Sequence, residues 1–285
     1  MSLKAINREE LKDVLNALEE AFLACDIDYY LIGAIAKDVW YARGDKKFRT
    51  TKDIDFAILV GSHAQYELVH NYLTTQKGYV SSTTNAFVVI APDKTAVDLL
   101  PFGEVAIDDG VEIIGEGLTS IKVNGFMEVY ETGTKEVEMM DGHHFAVATL
   151  PAIVLLKFIA YDDRPEHRIK DARDIANIIA HFFDLEGDMI YEHHSDLFLA
   201  ETDLELDEVS AIVIGREIYA ILKGNHPLCE RLMRILNSHL EKGERSDFIR
   251  NMAQETNTTI EHMIRYLKGI QSGFSAKMTP SDENK

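Results

Sequence analysis

Two aspartates separated by one residue, Asp53 and Asp55, are the clearest candidates for chemistry in this chain. They open an apolar segment, 56–60, that is typical of a strand buried on both faces and central in its sheet. Side chains at positions i and i+2 of a strand share a face, so the two carboxylates converge. Because like charges repel, such a pair favours a hard divalent cation such as Mg²⁺. A solvated strand end is the alternative explanation.

A third aspartate, Asp98, lies in the middle of another apolar segment, 95–100. An ionised group is costly there unless it is paired or bound to a metal. Three carboxylates on neighbouring strands can hold two ions about 4 Å apart, an arrangement that polarises a phosphoryl group. Gly33 stands between a predicted strand and a predicted helix, where backbone N–H groups can approach a phosphate. A glycine in a tight turn would explain Gly33 equally well.

The elements that carry these residues follow from hydrophobic periodicity. The patterns predict helices over 8–23, 34–42 and 64–76, with strands over 29–32, 53–60, 86–90 and 95–100. A β-rich stretch follows over 112–147 and includes 126–130, and after it helices are expected over 149–162, 168–183, 207–222, 228–240 and 246–270. We therefore expect an α+β fold, with a small mixed sheet flanked by helices over 1–147, a helical domain over 148–276, and a disordered tail over 277–285.

Composition narrows the classes of partner. The 285 residues include 29 basic and 48 acidic side chains, for a net charge of -19. A strongly acidic chain is a poor general binder of nucleic acid, because that affinity comes largely from Lys and Arg. Apolar runs are too short to span a membrane, and the two cysteines, Cys25 and Cys229, form neither a disulfide framework nor a metal motif. We expect a cytoplasmic protein with no membrane partner.

The order of strand, Gly33, helix, the segment R-T-T-K-D-I-D at 49–55 and then Asp98 resembles the nucleotidyltransferase superfamily that shares the DNA polymerase β palm. The resemblance implies a nucleoside triphosphate as substrate and two Mg²⁺ ions as cofactor. It also implies a division of roles. The predicted metal ligands are Asp53, Asp55 and Asp98, and the predicted nucleotide contacts are Gly33, Ala34, Arg49 and Thr51. Ala34 departs from the superfamily, which often has Ser or Gly at that position.

The helical half narrows the resemblance. Lys157 in the segment 156–164, followed by K-D-A-R-D at 170–174, is similar to the AbiEii/AbiGii toxin family of nucleotidyltransferases. The resemblance implies that Lys157 contacts the nucleotide phosphates and that Asp171 supports the lysine or the incoming substrate, with Asp174 as a second candidate. A structural salt bridge between two helices is the alternative explanation, because a cation among apolar residues needs an anionic partner.

Together these resemblances predict an enzyme that moves a nucleoside monophosphate from a nucleoside triphosphate to an acceptor hydroxyl. Family members that are toxins modify tRNA or proteins, which implies a toxin–antitoxin or abortive-infection system with an antitoxin as partner. Two alternatives stay open. One is a nucleotidyltransferase that modifies a small molecule such as an antibiotic, and the other is a nucleotide-binding regulator without turnover.

Overall fold

The computed structural model of the protein describes residues 9–42, 53–138, 144–198, 204–256 and 258–277. The chain divides into two compact units, Met1–Thr149 and Leu150–Lys285. The first unit combines β-sheets with helices, and the described part of the second unit is helical. The predicted α+β fold class is confirmed.

The first unit begins with a helix and alternates helices with short strands. Its described helices are α1 (Glu9–Ala24), α2 (Gly33–Tyr41), α3 (His63–Gln76) and α4 (Phe126–Thr132). Its described strands are β1 (Asp28–Ile32), β2 (Ile54–Leu59), β3 (Val80–Ser81), β4 (Val88–Ile90), β5 (Ala96–Phe102), β6 (Gly110–Glu112), β7 (Ser120–Lys122), β8 (Thr134–Glu138) and β9 (His144–Ala148).

Seven of the described strands form one mixed sheet in the order β3-β4-β5-β2-β1-β9-β8, while β6 pairs with β7. Strand β2 lies in the middle, parallel to β5 and antiparallel to β1. Parallel neighbours need a crossover connection, and α3 lies in the chain between β2 and β5. The predicted central position of β2 is confirmed.

Aromatic side chains pack α1 against this sheet. The ring of Phe22 lies 4.3 Å from that of Tyr29 and 5.4 Å from that of Phe56, measured between centroids. Phe22 and Phe56 are fully buried. Buried aromatic rings contribute strongly to core stability. The core therefore supports β2, the strand that carries Asp55.

The second unit is built from packed helices. Those described are α5 (Leu150–Asp163), α6 (Ile169–His193), α7 (Leu206–Leu222), α8 (His226–Lys242), α9 (Asp247–Thr256) and α10 (Ile260–Ser275). Helices α7 and α10 approach closely at small residues, since a Cβ added to Gly269 would lie 2.8 Å from the Cβ of Ala211.

Two predicted elements were wrong. Residues 126–130, predicted as a strand, form part of α4, where Val129 is fully buried and Gly125 precedes the helix with a positive φ of 85°. The single helix predicted over 246–270 is divided into α9 and α10, because the Thr259 hydroxyl accepts a hydrogen bond from the His262 N–H and caps a new helix.

None of the helices in the described ranges has the length and apolar character that crossing a bilayer requires.

Candidate active site

Strands β2 and β5 bring two predicted metal ligands together. The strands pair in parallel register, and Asp55 stands directly opposite Asp98. Adjacent strands lie about 4.8 Å apart, and directly opposed residues share a face of the sheet. Both aspartates are half-buried. Two carboxylates are thus neighbours on the central strands of the sheet.

Asp53 precedes the first residue of β2 and is exposed. Among the described residues, a set of three close metal-ligating side chains lies in the second unit instead. One ligand atom from each of Glu205, Asp207 and His262 lies within 4.8 Å of the other two. Asp55 and Asp98 lie on one strand pair, and Asp53 lies just before the paired residues of β2.

Gly33 packs against the carboxylate of Asp55. Its φ is +69°, in the left-handed region that favours glycine. A Cβ added there would lie 2.7 Å from the Asp55 Cγ and would clash with Oδ2. The neighbouring Ile32 pairs with Asp55 across β1 and β2, which fixes this approach. Glycine is thus required here by both backbone conformation and space.

The first turn of α2 lies beside this carboxylate and includes Gly33 and Ala34. Its N-cap residue, Ile32, makes no side-chain capping hydrogen bond, and the turn contains no acidic residue. The backbone N–H groups of a helix's first turn and the positive end of its dipole together attract anions. The start of α2 therefore has the features of a phosphate-binding helix terminus.

Tyr66 of α3 is a neighbour of Asp98 that the sequence did not reveal. Its hydroxyl lies 3.5 Å from the carbonyl oxygen of Leu99, the next residue along β5. Burial, and after it the charge of Asp98, raises the pKa of Tyr66 well above its usual value. The phenol therefore stays protonated beside Asp98. No spacing rule connects positions 66 and 98.

Lys37 is a second residue that sequence reasoning missed. It lies one turn after Gly33 on α2 and is buried, which is unusual for a lysine. Its Nζ is 6.0 Å from the centre of the Tyr41 ring. The available signal in the sequence was a lysine in the segment 34–41, whose other residues are apolar except for Asp38.

In the second unit, Lys157 of α5 is bound by two aspartates of α6. Its Nζ donates to Asp171 Oδ1 and to Asp174 Oδ2, each at 2.7 Å. The side chains of Lys157 and Asp171 are only 14% and 11% exposed. Burial acts to lower the pKa of Lys157, but the charges of Asp171 and Asp174 and the hydrogen bonds to them together outweigh burial and raise that pKa. The lysine is therefore held as a cation between two anions.

Asp171 has a second oxygen that takes no part in this pairing. Its Oδ2 is buried and has no hydrogen-bond partner among the described residues. The Nη1 of Arg168 is 3.9 Å away, beyond hydrogen-bonding distance. Leaving a buried charged acceptor unsatisfied is costly, so this oxygen is a natural contact for a ligand donor.

The predicted site residues thus fall into two groups, one in each unit. Gly33, Asp55 and Asp98 meet in the first unit, and Lys157 and Asp171 meet in the second, joined by Asp174. Ala34, in the first turn of α2, and Asp53, just before β2, also belong to the first unit, whereas Arg49 and Thr51 lie outside the described residues.

Two aspartates face each other on the sheet, beside a helix that begins at a glycine. This arrangement is suited to phosphoryl chemistry. A family model described as nucleotidyl transferase AbiEii toxin, type IV toxin–antitoxin system, matches residues 14–265. The chain belongs to this family. The predicted enzyme class, nucleotidyltransferase, is thereby confirmed, and membership supports nucleotidyl transfer and a role in a toxin–antitoxin system.

Two solved structures are similar at low identity. The solution structure of the antibiotic-resistance factor ANT(2'')-Ia is 14% identical, covering 64% of this chain and 96% of its own, with a TM-score of 0.33. The Thermotoga maritima CCA-adding enzyme complexed with tRNA is 9% identical, covering 96% of this chain and 82% of its own, with a TM-score of 0.26. Neither similarity is close enough to support a conclusion about this chain. No curated protein sequence matches it.

Proposed function

We propose that the protein is a Mg²⁺-dependent toxin that transfers a nucleoside monophosphate from a nucleoside triphosphate to a hydroxyl of tRNA or of a protein. The acceptor oxygen forms a bond to the α-phosphorus while the bond from that phosphorus to the bridging oxygen breaks, and pyrophosphate leaves. The observation that carries the proposal is Asp55 facing Asp98 on parallel strands, with Gly33 packed against Asp55.

The donor set fits the proposed metal. Carboxylate oxygens are the ligands that Mg²⁺ prefers, and like charges held on facing strands are relieved by a divalent cation. Asp53, Asp55 and Asp98 would hold two Mg²⁺ ions. When bound there, the ions supply positive charge that polarises the α-phosphate and stabilises the attacking and leaving oxygens.

The remaining residues of the first unit bind and orient. The first turn of α2, with Gly33 and Ala34, offers backbone N–H groups to the triphosphate, and the resemblance adds Arg49 and Thr51 to these contacts. Ala34 offers no side-chain hydroxyl, so its contribution is through the backbone alone. Asp98 accepts the proton that the acceptor hydroxyl loses.

Lys157 of the second unit would contact the nucleotide phosphates. Its two aspartate partners raise the pKa of the ammonium, which keeps it charged at neutral pH. Asp171 and Asp174 are then positioning residues, because they hold the Nζ in one place. The orphaned Oδ2 of Asp171 supports a further contact with the incoming substrate.

The test incubates the full chain with Mg²⁺, each of four α-labelled nucleoside triphosphates, and separate pools of total RNA, extracted protein and aminoglycosides. We expect label in the RNA or the protein pool. The variant Asp53→Asn should lower transfer by at least about 10³-fold, because charge stabilisation carries most of this chemistry. The matched control is Asp13→Asn, which removes the same charge from the exposed face of α1.

Unchanged transfer in Asp53→Asn would refute the assignment. Label confined to the aminoglycoside pool would replace the macromolecular acceptor with a small molecule. Tight nucleotide binding with no product in any pool would show a regulator without turnover.

A further inference from the structure

A second group of metal-ligating side chains lies in the helical unit and takes no part in the proposed reaction. Glu205 precedes α7, Asp207 lies in its first turn, and His262 lies in the first turn of α10. One ligand atom from each lies within 4.8 Å of the other two. Residues 55 positions apart in sequence therefore converge where two helices begin.

The hydrogen bonds of Asp207 leave one of its oxygens unused. Its Oδ2 accepts from Nε2 of His262 at 2.8 Å and from the Tyr266 hydroxyl at 2.9 Å. Its Oδ1 is buried and has no hydrogen-bond partner among the described residues. A buried carboxylate oxygen without a donor is unfavourable, and a cation would satisfy it.

Helix capping explains part of this group but not all of it. Glu205 and Glu208 form a reciprocal capping box, and acidic residues at a helix start are favourable in any case. Capping does not account for His262, which reaches Asp207 from another helix, nor for the orphaned Oδ1. These two features point to a ligand.

We infer that Glu205, Asp207 and His262 form a binding site for a divalent transition-metal ion of the Zn²⁺ class. Two carboxylates and one imidazole are a donor set that Zn²⁺ accepts, with a fourth position left for water. Mg²⁺, in contrast, prefers oxygen ligands throughout. The bound ion would join the first turns of α7 and α10.

Arg265 competes with the metal for this site. Its Nη2 lies 2.8 Å from Nδ1 of His262, and its Nε lies 3.6 Å from Glu208 Oε1. A bound ion would use the Nε2 lone pair of His262, so the ring proton would have to lie on Nδ1. Nδ1 could then no longer accept a hydrogen bond from Arg265, and the Arg265 side chain would have to move away. Arg265 is exposed and keeps Glu208 as a partner, which makes this movement feasible.

The experiment titrates the full chain with Zn²⁺ by calorimetry in excess Mg²⁺, which fills sites that accept either ion. His262→Asn should weaken one Zn²⁺ site by at least about tenfold, because it replaces the imidazole ligand. Its control, Glu261→Gln, changes an exposed neighbour on the same helix and should leave that site intact. Glu205→Gln retains a capping oxygen and should also weaken binding.

Substitution of Arg265 gives the most specific test of the Zn²⁺ site. Arg265→Gln should tighten Zn²⁺ binding severalfold, whereas Lys268→Gln, which removes the same charge from an exposed position three residues later, should not. General attraction of Zn²⁺ to an acidic chain would treat these two variants alike.

The inference is overturned by equal Zn²⁺ affinity in the wild type, His262→Asn and Glu205→Gln, or by displacement of the ion by Mg²⁺. Asp53→Asn should keep this Zn²⁺ site, so failure here and failure of the proposed enzyme activity are separate results.

Discussion

The two groups of charged residues are held in opposite ways. On β2 and β5 the backbone register brings like charges face to face, with Gly33 packed against one of them. On α5 and α6 side chains bring opposite charges together, with Lys157 at 2.7 Å from each of two aspartates. The strand group thus contains acids that face one another, whereas the helical group has a lysine between its acids. The comparison predicts that removing the Lys157 charge lowers the free energy of unfolding, whereas neutralising Asp55 leaves it unchanged or raises it.

The largest effect is expected at Lys157. Replacing it in Lys157→Met leaves two carboxylates close together in a largely buried place, and removing one partner of such an arrangement costs about 3–5 kcal/mol. We expect the free energy of unfolding, measured with urea, to fall by that amount. Lys170→Met, an exposed lysine of α6, is the control and should change little.

The loss of stability in Lys157→Met should depend on pH in a defined way. The pKa of Lys157 is raised above its usual value of 10.5, so its stabilisation is fully present below pH 10.5 and is lost as the pH rises through the folded-state pKa. The difference between wild type and Lys157→Met should stay constant from neutral pH to about 10 and then shrink. A difference no larger than that of Lys170→Met at neutral pH would contradict the buried ion pair.

Gly33→Ala should have an intermediate effect. The residue combines a φ of +69° with close approach to Asp55, and both strain and overpacking cost about 1–3 kcal/mol. Urea unfolding should show this loss, whereas Gly224→Ala, which has no atom within 4 Å of the added Cβ, should show little. If Asp55 is the obstacle, the loss is smaller in an Asp55→Ala background. An equal loss in both backgrounds would mean that the backbone conformation alone requires glycine.

The smallest effect is expected for Asp55→Asn. Like charges directly opposite one another on paired strands are destabilising by about 0.2–1 kcal/mol, so neutralising one should leave stability unchanged or raise it by that amount in metal-free buffer. The control is Glu136→Gln, an exposed strand carboxylate that faces Ala146. Destabilisation of several kcal/mol by Asp55→Asn would show that the Asp55 charge is stabilising, as the Lys157 charge is. The proposed difference between the two groups would then be wrong.

Much of the first unit could be predicted because its signals are local. The position of Asp53 and Asp55 two residues apart at a strand start, and of Gly33 between a strand and a helix, are properties of adjacent residues. Weak local patterns failed. At 126–130 the spacing of Phe126, Val129 and Tyr130 suits a helix, and the β-rich surroundings were a poor guide. At Thr259 a helix start was overlooked inside an apparently continuous helical pattern.

The sequence by itself determined which residue types were available and which share a face, because the geometry of a strand or helix relates residues only a few positions apart. Only the tertiary structure decided that Asp55 faces Asp98, that Lys157 has both Asp171 and Asp174 as partners, and that His262 meets Asp207. Such contacts depend on which strands pair and which helices pack. That choice is made by the whole core at once, so no local pattern records it.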